Sequence, residues 1–377
     1  MIPIARPVLG EEEINAVREV LQSGQLAQGP KVKEFEEKFA EYVGTRYAVA
    51  VSNGTAALQL ALIAMGVRPG DEVITSPLSF FASASSILLV GAKPVFVDVE
   101  ERTYNMDPEK VRKAITPKTK AIMVVHLHGH PADMDPILEV AKEESIPVLE
   151  DAAQAHGAEY KGKKTGSLAD AAAFSFYATK NMTTGEGGIV TTNSEEIAEM
   201  VSLLRHHGQT SRYVHEYLGY NMRMTEFQAA IGLVQLKKLD ANNERRRKIA
   251  RRYSEELSDL EDLVLPIEEP WAKHSWHLYA IRTEGSKRGP LLEKLRKLGV
   301  DARPTYPMPL HKQPIIGRLG DERRNFLAKI FPAISYSEVS LPIAERLTDE
   351  LFYIPVHHNL SDEEVSKVID SVKKALS

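Results

Sequence analysis

The chain has 377 residues, of which 43% are hydrophobic and 26% are charged, and these values are typical of a soluble globular protein. At roughly 150 residues per domain, the length predicts two domains. The net charge of -5 gives no overall positive field, so nucleic acid is not an expected partner. The absence of cysteine excludes disulfides, thiolate metal sites and a cysteine nucleophile.

The N-terminus has no basic segment followed by an apolar stretch, and no run of about 18 apolar residues occurs anywhere in the chain. The sequence therefore predicts neither a signal peptide nor a membrane span. We expect a cytoplasmic protein without a membrane partner.

The first half of the chain predicts two amphipathic helices, over residues 11–22 and 32–42, and then strands alternating with helices. Apolar strands separated by helices are typical of an α/β fold with a mostly parallel central sheet and helices on both faces. The predicted strands are residues 47–51, 72–75, 94–97, 121–127, 147–149, 172–177 and 188–192, and the predicted helices between them are 55–65, 79–90, 107–115 and 135–145.

The second half predicts a smaller C-terminal α+β domain. A charged helix over residues 240–253 contains the basic run 244–248, which we interpret as a solvated helix face rather than a ligand site. A strand over 276–282 and helices over 291–298 and 362–376 follow. We place a large α/β domain at residues 1–245 and the small domain at residues 246–377.

In open α/β sheets, ligands bind beyond the carboxyl ends of the strands. One predicted strand ends at a glycine turn, residues 52–55, that opens directly into a helix. Its backbone N–H groups and the Thr55 hydroxyl suit a phosphate, although a purely structural turn is the alternative.

Three other strand ends also carry reactive or flat side chains. Glu150 and Asp151 follow a buried strand, where one of them could bind a protonated ring nitrogen or cap the next turn. Lys180 follows the strand over 172–177, and desolvation there would lower its pKa and favour a Schiff base over a surface role. Phe80 and Phe81 follow a Ser-Pro turn, and either ring could stack on a flat ligand or pack in the core, the second being preferred for Phe81.

Together, a phosphate cradle, an aromatic ring, a buried acid and a lysine match the needs of pyridoxal 5'-phosphate. The sequence also resembles the DegT/DnrJ/EryC1/StrS family of pyridoxal-phosphate-dependent nucleotide-sugar aminotransferases along nearly its whole length, which implies fold type I. The resemblance rests on six motifs in order: residues 52–58 (SNGTAAL), 150–157 (EDAAQAHG), 175–180 (SFYATK), 185–188 (GEGG), 219–224 (GYNMRM) and 306–311 (YPMPLH).

The resemblance implies a role for each matching residue. Lys180 would form the Schiff base and Asp151 would bind the pyridinium nitrogen. Gln154 would reach the ring hydroxyl, and Phe80 would stack on the ring. The residues implied to bind the phosphate are Gly54, Thr55 and Ser175, with Asn221 or Arg223 supplied by a neighbouring subunit.

The implied reaction moves an amino group from L-glutamate to a keto group of a nucleotide-linked sugar, in a homodimer with active sites at the subunit interface. Tyr306 and His311 are implied sugar contacts. The dehydratase branch of the family carries histidine at the lysine position, so Lys180 favours an aminotransferase.

Two other functions remain as alternatives. His126, His128 and His130 alternate, so in a strand they would share one face, as the ligands of a zinc or iron hydrolase could. Alternate side chains of a strand lie about 7 Å apart, however, which is too far for His126 and His130 to share one metal without a bend. A non-catalytic sensor that binds the cofactor without turnover is the second alternative, and the presence of both Lys180 and Asp151 disfavours it.

Overall fold

The computed structural model describes residues 1–304, 306–331 and 336–377. The helices are α1 (Glu11–Ser23), α2 (Pro30–Val43), α3 (Gly54–Ala64), α4 (Ala82–Leu89), α5 (Pro108–Ala114), α6 (Met134–Glu143), α7 (Glu195–Arg205), α8 (Glu226–Glu256), α9 (Gly285–Lys297), α10 (Pro342–Glu350) and α11 (Asp362–Leu376). Within these ranges, no helix is both long and apolar enough to cross a membrane.

The strands that build the sheets are mostly short. They are β1 (Tyr47–Val51), β2 (Glu72–Thr75), β3 (Lys93–Phe96), β4 (Thr119–Val125), β5 (Val148–Asp151), β6 (Glu159–Tyr160), β7 (Lys163–Lys164), β8 (Ala171–Ser175), β9 (Gly188–Thr192), β10 (Gln209–Ser211), β11 (Val214–His215), β12 (Ala272–Lys273), β13 (Tyr279–Arg282), β14 (Arg303–Pro304) and β15 (Leu351–Ile354).

A seven-stranded sheet in the order β1-β9-β8-β5-β4-β2-β3 forms the centre of the molecule. All its neighbouring pairs are parallel except those of β9, which runs antiparallel to both β1 and β8. Strands β2, β5 and β9 are buried along their whole length, as their apolar runs predict. The predicted α/β fold with a mostly parallel sheet is confirmed.

The C-terminal part forms a three-stranded antiparallel sheet, β13-β15-β14, which shares an apolar core with α8, α9 and α11. Helix α8 is continuous from Glu226 to Glu256, so the predicted boundary between residues 245 and 246 falls inside one helix. The division of the chain into two domains therefore stays a prediction.

The structure differs from the predicted pattern at two functionally suggestive segments. Strand β4 ends at Val125, and residues Leu127–Gly129 form a 3-10 turn in which His128 has a φ of 59°. The prediction of a strand reaching residue 127 is therefore wrong. The prediction that the basic run 244–248 is solvated is wrong for Arg246. Its side chain is only 4% exposed, and its Nη1 donates to the carbonyls of Trp276 and His277.

Candidate active site

The ends of three neighbouring strands meet at Gly188. This residue opens β9 and pairs with Val51 at the end of β1 and with Ser175 at the end of β8. A Cβ at Gly54 would lie 2.7 Å from the Ser175 Cβ, so only glycine permits this approach. The predicted cradle residues Gly54 and Ser175 are thus in contact.

The first turn of α3 begins at the same point. The Asn53 side chain caps the helix by accepting a hydrogen bond from the Ala56 N–H at 2.9 Å. Gly54 and Thr55 are the first helical residues, and N–H groups at this position have no carbonyl partner within a helix. This helix end, with the Ser175 hydroxyl beside it, has the donors that an anion needs.

The two acids of β5 lie on opposite faces of the central sheet, because successive side chains of a strand alternate. Glu150 is fully buried and accepts a hydrogen bond from the His126 Nε2 at 2.9 Å. Its oxygens also accept bonds from three backbone N–H groups, those of Gly166, Leu168 and Ala169. Glu150 therefore has a structural role on its own face.

Asp151 is 5% exposed and has fewer partners. The Ser83 hydroxyl donates to its Oδ2 at 2.7 Å, and the Ala153 N–H donates to its Oδ1 at 3.3 Å. Burial raises the pKa of Asp151, and the hydrogen bonds from Ser83 and Ala153 and the charge of Lys180 oppose that rise. A further cation at this carboxylate would stabilise its ionised form.

Lys180 follows β8, in a turn where its N–H donates to the Tyr177 carbonyl at 2.9 Å. Burial lowers the pKa of the Lys180 amine to about 8, while the charge of Asp151 opposes that fall. The charge of each group shifts the pKa of the other, so the two side chains lie within electrostatic range. Strands β5 and β8, whose ends carry Asp151 and lead to Lys180, are neighbours in the sheet.

Gln154 connects this part of the sheet to the C-terminal part of the chain. Its Nε2 donates to the Tyr306 hydroxyl at 2.8 Å, and its Oε1 accepts from the His128 N–H at 2.9 Å. The Tyr306 and His128 rings are nearly parallel, with an interplanar angle of 3°. Burial, and to a smaller extent the charge of Asp151, raise the pKa of the Tyr306 hydroxyl.

Phe80 is the only one of the predicted site residues with a large exposed apolar surface among those described, at 63% exposure. Its carbonyl accepts from the Ser83 N–H at 3.1 Å, so the ring belongs to the same turn as the serine that binds Asp151. An exposed ring beside a buried polar cluster is suited to stack on a flat ligand.

Three predicted site residues make their contacts elsewhere. The Arg223 side chain donates to Asn221 Oδ1 and to His206 Nδ1, each at 3.0 Å. His311 is buried and its Nε2 lies 3.1 Å from Glu345 Oε1. Within this chain, none of these contacts reaches Asp151, Lys180 or Gln154.

The three alternating histidines point to separate partners. His126 binds Glu150, His128 packs near Tyr306, and His130 accepts a hydrogen bond from the Glu269 N–H at 3.1 Å. In the described part of the chain, no three His, Cys, Asp or Glu side chains are grouped so that they could hold a metal ion. The turn at His128 also removes the shared strand face on which the metal alternative relied.

Ser83 is a site residue that the sequence motifs do not identify. It lies in α4, and its hydroxyl is 2.8 Å from the Ser79 hydroxyl one turn earlier. Ser79 precedes α4 by one turn, and the four-residue spacing of Ser79 and Ser83 is the signal that could have indicated a polar pair.

These groups fit pyridoxal phosphate, because each need of the cofactor has a matching feature. Asp151 is a buried acid whose two hydrogen-bond donors are both neutral, so a protonated ring nitrogen would complete its surroundings. The helix end at Gly54 fits a phosphate, Phe80 presents a ring face, and Lys180 is an amine with a lowered pKa.

The chain is similar to known proteins over its whole length. The model of the DegT/DnrJ/EryC1/StrS aminotransferase family matches residues 7–373. GDP-perosamine synthase from Caulobacter vibrioides is 40% identical, over 100% of this chain and 98% of that protein. The dTDP-3-amino-3,4,6-trideoxy-alpha-D-glucose transaminase of Streptomyces venezuelae is 39% identical, over 95% of this chain and 90% of that protein.

Solved structures show the same fold. A Streptococcus pneumoniae protein described as a sugar aminotransferase, in its PLP form, superposes with a TM-score of 0.91. It is 33% identical, and the match covers 100% of this chain and 98% of that one.

Proposed function

The chain belongs to the DegT/DnrJ/EryC1/StrS aminotransferase family, with the predicted fold type I and pyridoxal phosphate as cofactor, and we propose that it transfers an amino group from L-glutamate to a keto group of a nucleotide-linked hexose. The observation that supports this most directly is the position of Lys180: it follows β8, the neighbour of β5, within electrostatic range of the buried Asp151 at the end of β5.

The residues around this pair would hold the cofactor. The helix end at Gly54 and Thr55, with the Ser175 hydroxyl, would bind the phosphate. Phe80 would stack on the ring, and Gln154 would bind the ring hydroxyl. When bound, the cofactor supplies an aldehyde that reacts with amines and a ring that withdraws electrons from the reacting carbon.

Asp151 would hold a proton on the ring nitrogen. Its carboxylate is buried, so its charge acts through a medium of low polarity and favours a protonated partner strongly. The Ser83 hydroxyl fixes the orientation of that carboxylate. Ser83 is therefore a positioning residue for Asp151.

Lys180 would hold the cofactor covalently and, when released, move a proton at the donor Cα. Because the pKa of its amine is lowered to about 8, a substantial fraction of the amine is neutral near physiological pH. A neutral Nζ can accept the proton that leaves the donor Cα and, in the second half of the reaction, donate a proton to the sugar carbon that receives the amino group.

The acceptor is proposed to be a sugar nucleotide because two relatives of about 40% identity are named for GDP- and dTDP-linked amino sugars. Tyr306 is the proposed sugar contact, since its hydroxyl lies beside Gln154. His311 also stays a predicted sugar contact. Its side chain is hydrogen-bonded to Glu345 and not to Gln154 or Tyr306.

A homodimer is part of the proposal, with Asn221 or Arg223 of one subunit completing the phosphate site of the other. The surface beside these residues supports an interface, because Tyr213 is 78% exposed and Leu218 is 95% exposed. Asn221 is also exposed in the single chain, where a second subunit can reach it.

A panel of UDP-, GDP- and dTDP-linked keto-hexoses, incubated with L-glutamate and the purified protein, tests the proposal. We expect one of them to be converted to an amino-sugar nucleotide with release of an equal amount of 2-oxoglutarate. Lys180→Ala is the control without activity. A protein that stays colourless after reconstitution with the cofactor, or that does not react with glutamate, would contradict the proposal.

A further inference from the structure

Arg246 is a buried arginine that has no acidic partner among the described residues. It is 4% exposed, and its Nη1 donates to the carbonyls of Trp276 and His277, at 3.2 and 3.3 Å. Its Nε has no hydrogen-bond partner among the described residues. Burial lowers the pKa of Arg246 to about 10, and the group stays charged at physiological pH. A buried guanidinium in this state is stabilised by an anion.

The Arg246 side chain lines a cavity that also reaches Lys180. The polar or charged residues of its lining that matter here are Arg6, Lys180, Gln235, Arg246, His357 and His358, and no lining residue is an Asp or a Glu. The wall itself therefore offers Arg246 no ionic partner.

The other polar groups of this wall divide into satisfied and unsatisfied ones. Arg6 is paired with Glu364 at 2.9 Å, and Gln235 donates to Glu13 at 2.9 Å. Both ring nitrogens of His357 and the Nδ1 of His358 are buried without a partner in the described chain. Burial lowers the pKa of both histidines to about 4, so they are neutral hydrogen-bonding groups and Arg246 supplies the charge.

We infer that this cavity binds a carboxylate group of the amino-acid donor, with the Arg246 guanidinium as its ionic partner. Arginine presents two parallel N–H groups that match the two oxygens of a carboxylate. This inference rests on the proposed function and deepens it, because it assigns the residue that selects an amino acid over a simple amine.

The position and size of the cavity favour the donor over the sugar nucleotide as the source of the anion. Lys180 lines the cavity, and the donor Cα must come within reach of its Nζ for proton transfer. The enclosed space is about 20 Å³, room for a group about the size of one or two water molecules. A single carboxylate group suits that space, and a nucleoside diphosphate carrying a hexose does not.

The test measures binding of glutarate, a five-carbon dicarboxylate that has no amino or keto group and cannot react. Glutarate is titrated into the holoenzyme by calorimetry, in the wild type, in Arg246→Gln and in Arg247→Gln. Arg247 is the matched control, since it is next in the helix but is paired with Glu268 at 2.6 Å and does not line the cavity.

We expect Arg246→Gln to weaken glutarate binding about 100-fold, the effect of removing one member of a buried charged pair, and Arg247→Gln to change it less than threefold. UDP is titrated in parallel, and its affinity should be the same in all three proteins. Equal glutarate affinity in the two variants, or a loss of UDP affinity instead, would overturn the inference.

Two further measurements keep the result interpretable. If Arg246→Gln does not fold, Arg246→Lys replaces it, with about tenfold weaker glutarate binding expected because the planar fork is lost. In the wild type, glutarate should slow hydrogen exchange at residues 355–360, and unchanged exchange there would contradict the inference. The change in cofactor absorbance on adding L-glutamate reports the proposed function separately. If that change occurs while glutarate affinity is the same in the wild type and in Arg246→Gln, only the inference fails.

Discussion

The two faces of strand β5 each carry a buried carboxylate, but the hydrogen bonding around the two carboxylates differs. Glu150 is fully buried and accepts hydrogen bonds from one imidazole and three backbone N–H groups. Asp151, the next residue, is almost as buried, but among the described residues it accepts one hydrogen bond from a hydroxyl and one long bond from a backbone N–H. The hydrogen bonds of the protein satisfy Glu150, whereas we propose that a bound partner completes the surroundings of Asp151.

This difference separates a structural acid from a functional one without any appeal to the residue type. A buried acid with complete hydrogen bonding maintains the fold, and a buried acid with incomplete bonding next to a reactive amine is a candidate for catalysis. Substitutions on the two faces should therefore affect different properties.

The largest effect is expected for Asp151→Asn. The amide keeps the size of the side chain but removes the charge that is proposed to hold the ring nitrogen protonated, so the amino-transfer rate should fall about 10³-fold, equivalent to about 4 kcal/mol. Because burial raises the pKa of Asp151, its charge costs folding free energy, and urea unfolding should show equal or greater stability. An Asp151→Asn variant whose amino-transfer rate stays within tenfold of the wild-type rate would contradict the functional role of this acid.

Glu150→Gln should have the opposite profile. The new amide NH₂ faces backbone donors that need an acceptor, so the free energy of unfolding should drop by about 2–4 kcal/mol. The folded fraction should keep its rate within a few-fold, since Glu150 lies on the face away from Lys180. Unchanged stability, measured by urea denaturation against the wild type, would show that the hydrogen bonds at Glu150 are dispensable.

A smaller effect is expected for Ser83→Ala, which removes one bond to Asp151 at a cost of about 1 kcal/mol, or roughly fivefold in rate. Since the Ser83 hydrogen bond lowers the pKa of Asp151, its loss raises that pKa further and should move the acidic limb of the pH–rate profile to higher pH.

Ser83→Thr, which keeps a hydroxyl, should restore the profile. Ser85→Ala is the matched control, because Ser85 lies in the same helix, is partly exposed and is not bonded to Asp151. If Ser83→Ala and Ser85→Ala give the same pH–rate profile, Ser83 has no positioning role.

Much of the central sheet follows from sequence because its signals are local. Strands Glu72–Thr75 and Gly188–Thr192 are predicted at their observed bounds. The direction of β9, however, depends on its partners β1 and β8, which no local pattern reports. The turn at His128 is likewise missed, since the alternating histidines continue the pattern of a strand while a positive φ ends it.

The candidate site is predictable to a similar extent. Strand alternation predicts that Glu150 and Asp151 lie on opposite faces of the sheet. Which of the two acids faces the ligand depends on the position of Lys180, which no local pattern gives, so the assignment of Asp151 came from the family resemblance. Ser83 lies in a helix among apolar neighbours, and Arg246 lies in a charged run. Neither context predicts a buried side chain at the site, because that burial arises from tertiary packing.

The most direct test of the account is to find where the cofactor is attached. The holoenzyme is reduced with borohydride, digested and analysed by mass spectrometry, with Lys180→Ala treated in parallel. We expect a single peptide carrying the reduced cofactor on Lys180, and no such modification in the variant. Attachment at another lysine, or the same pattern in Lys180→Ala, would contradict the claim that Lys180 and Asp151 form the catalytic centre.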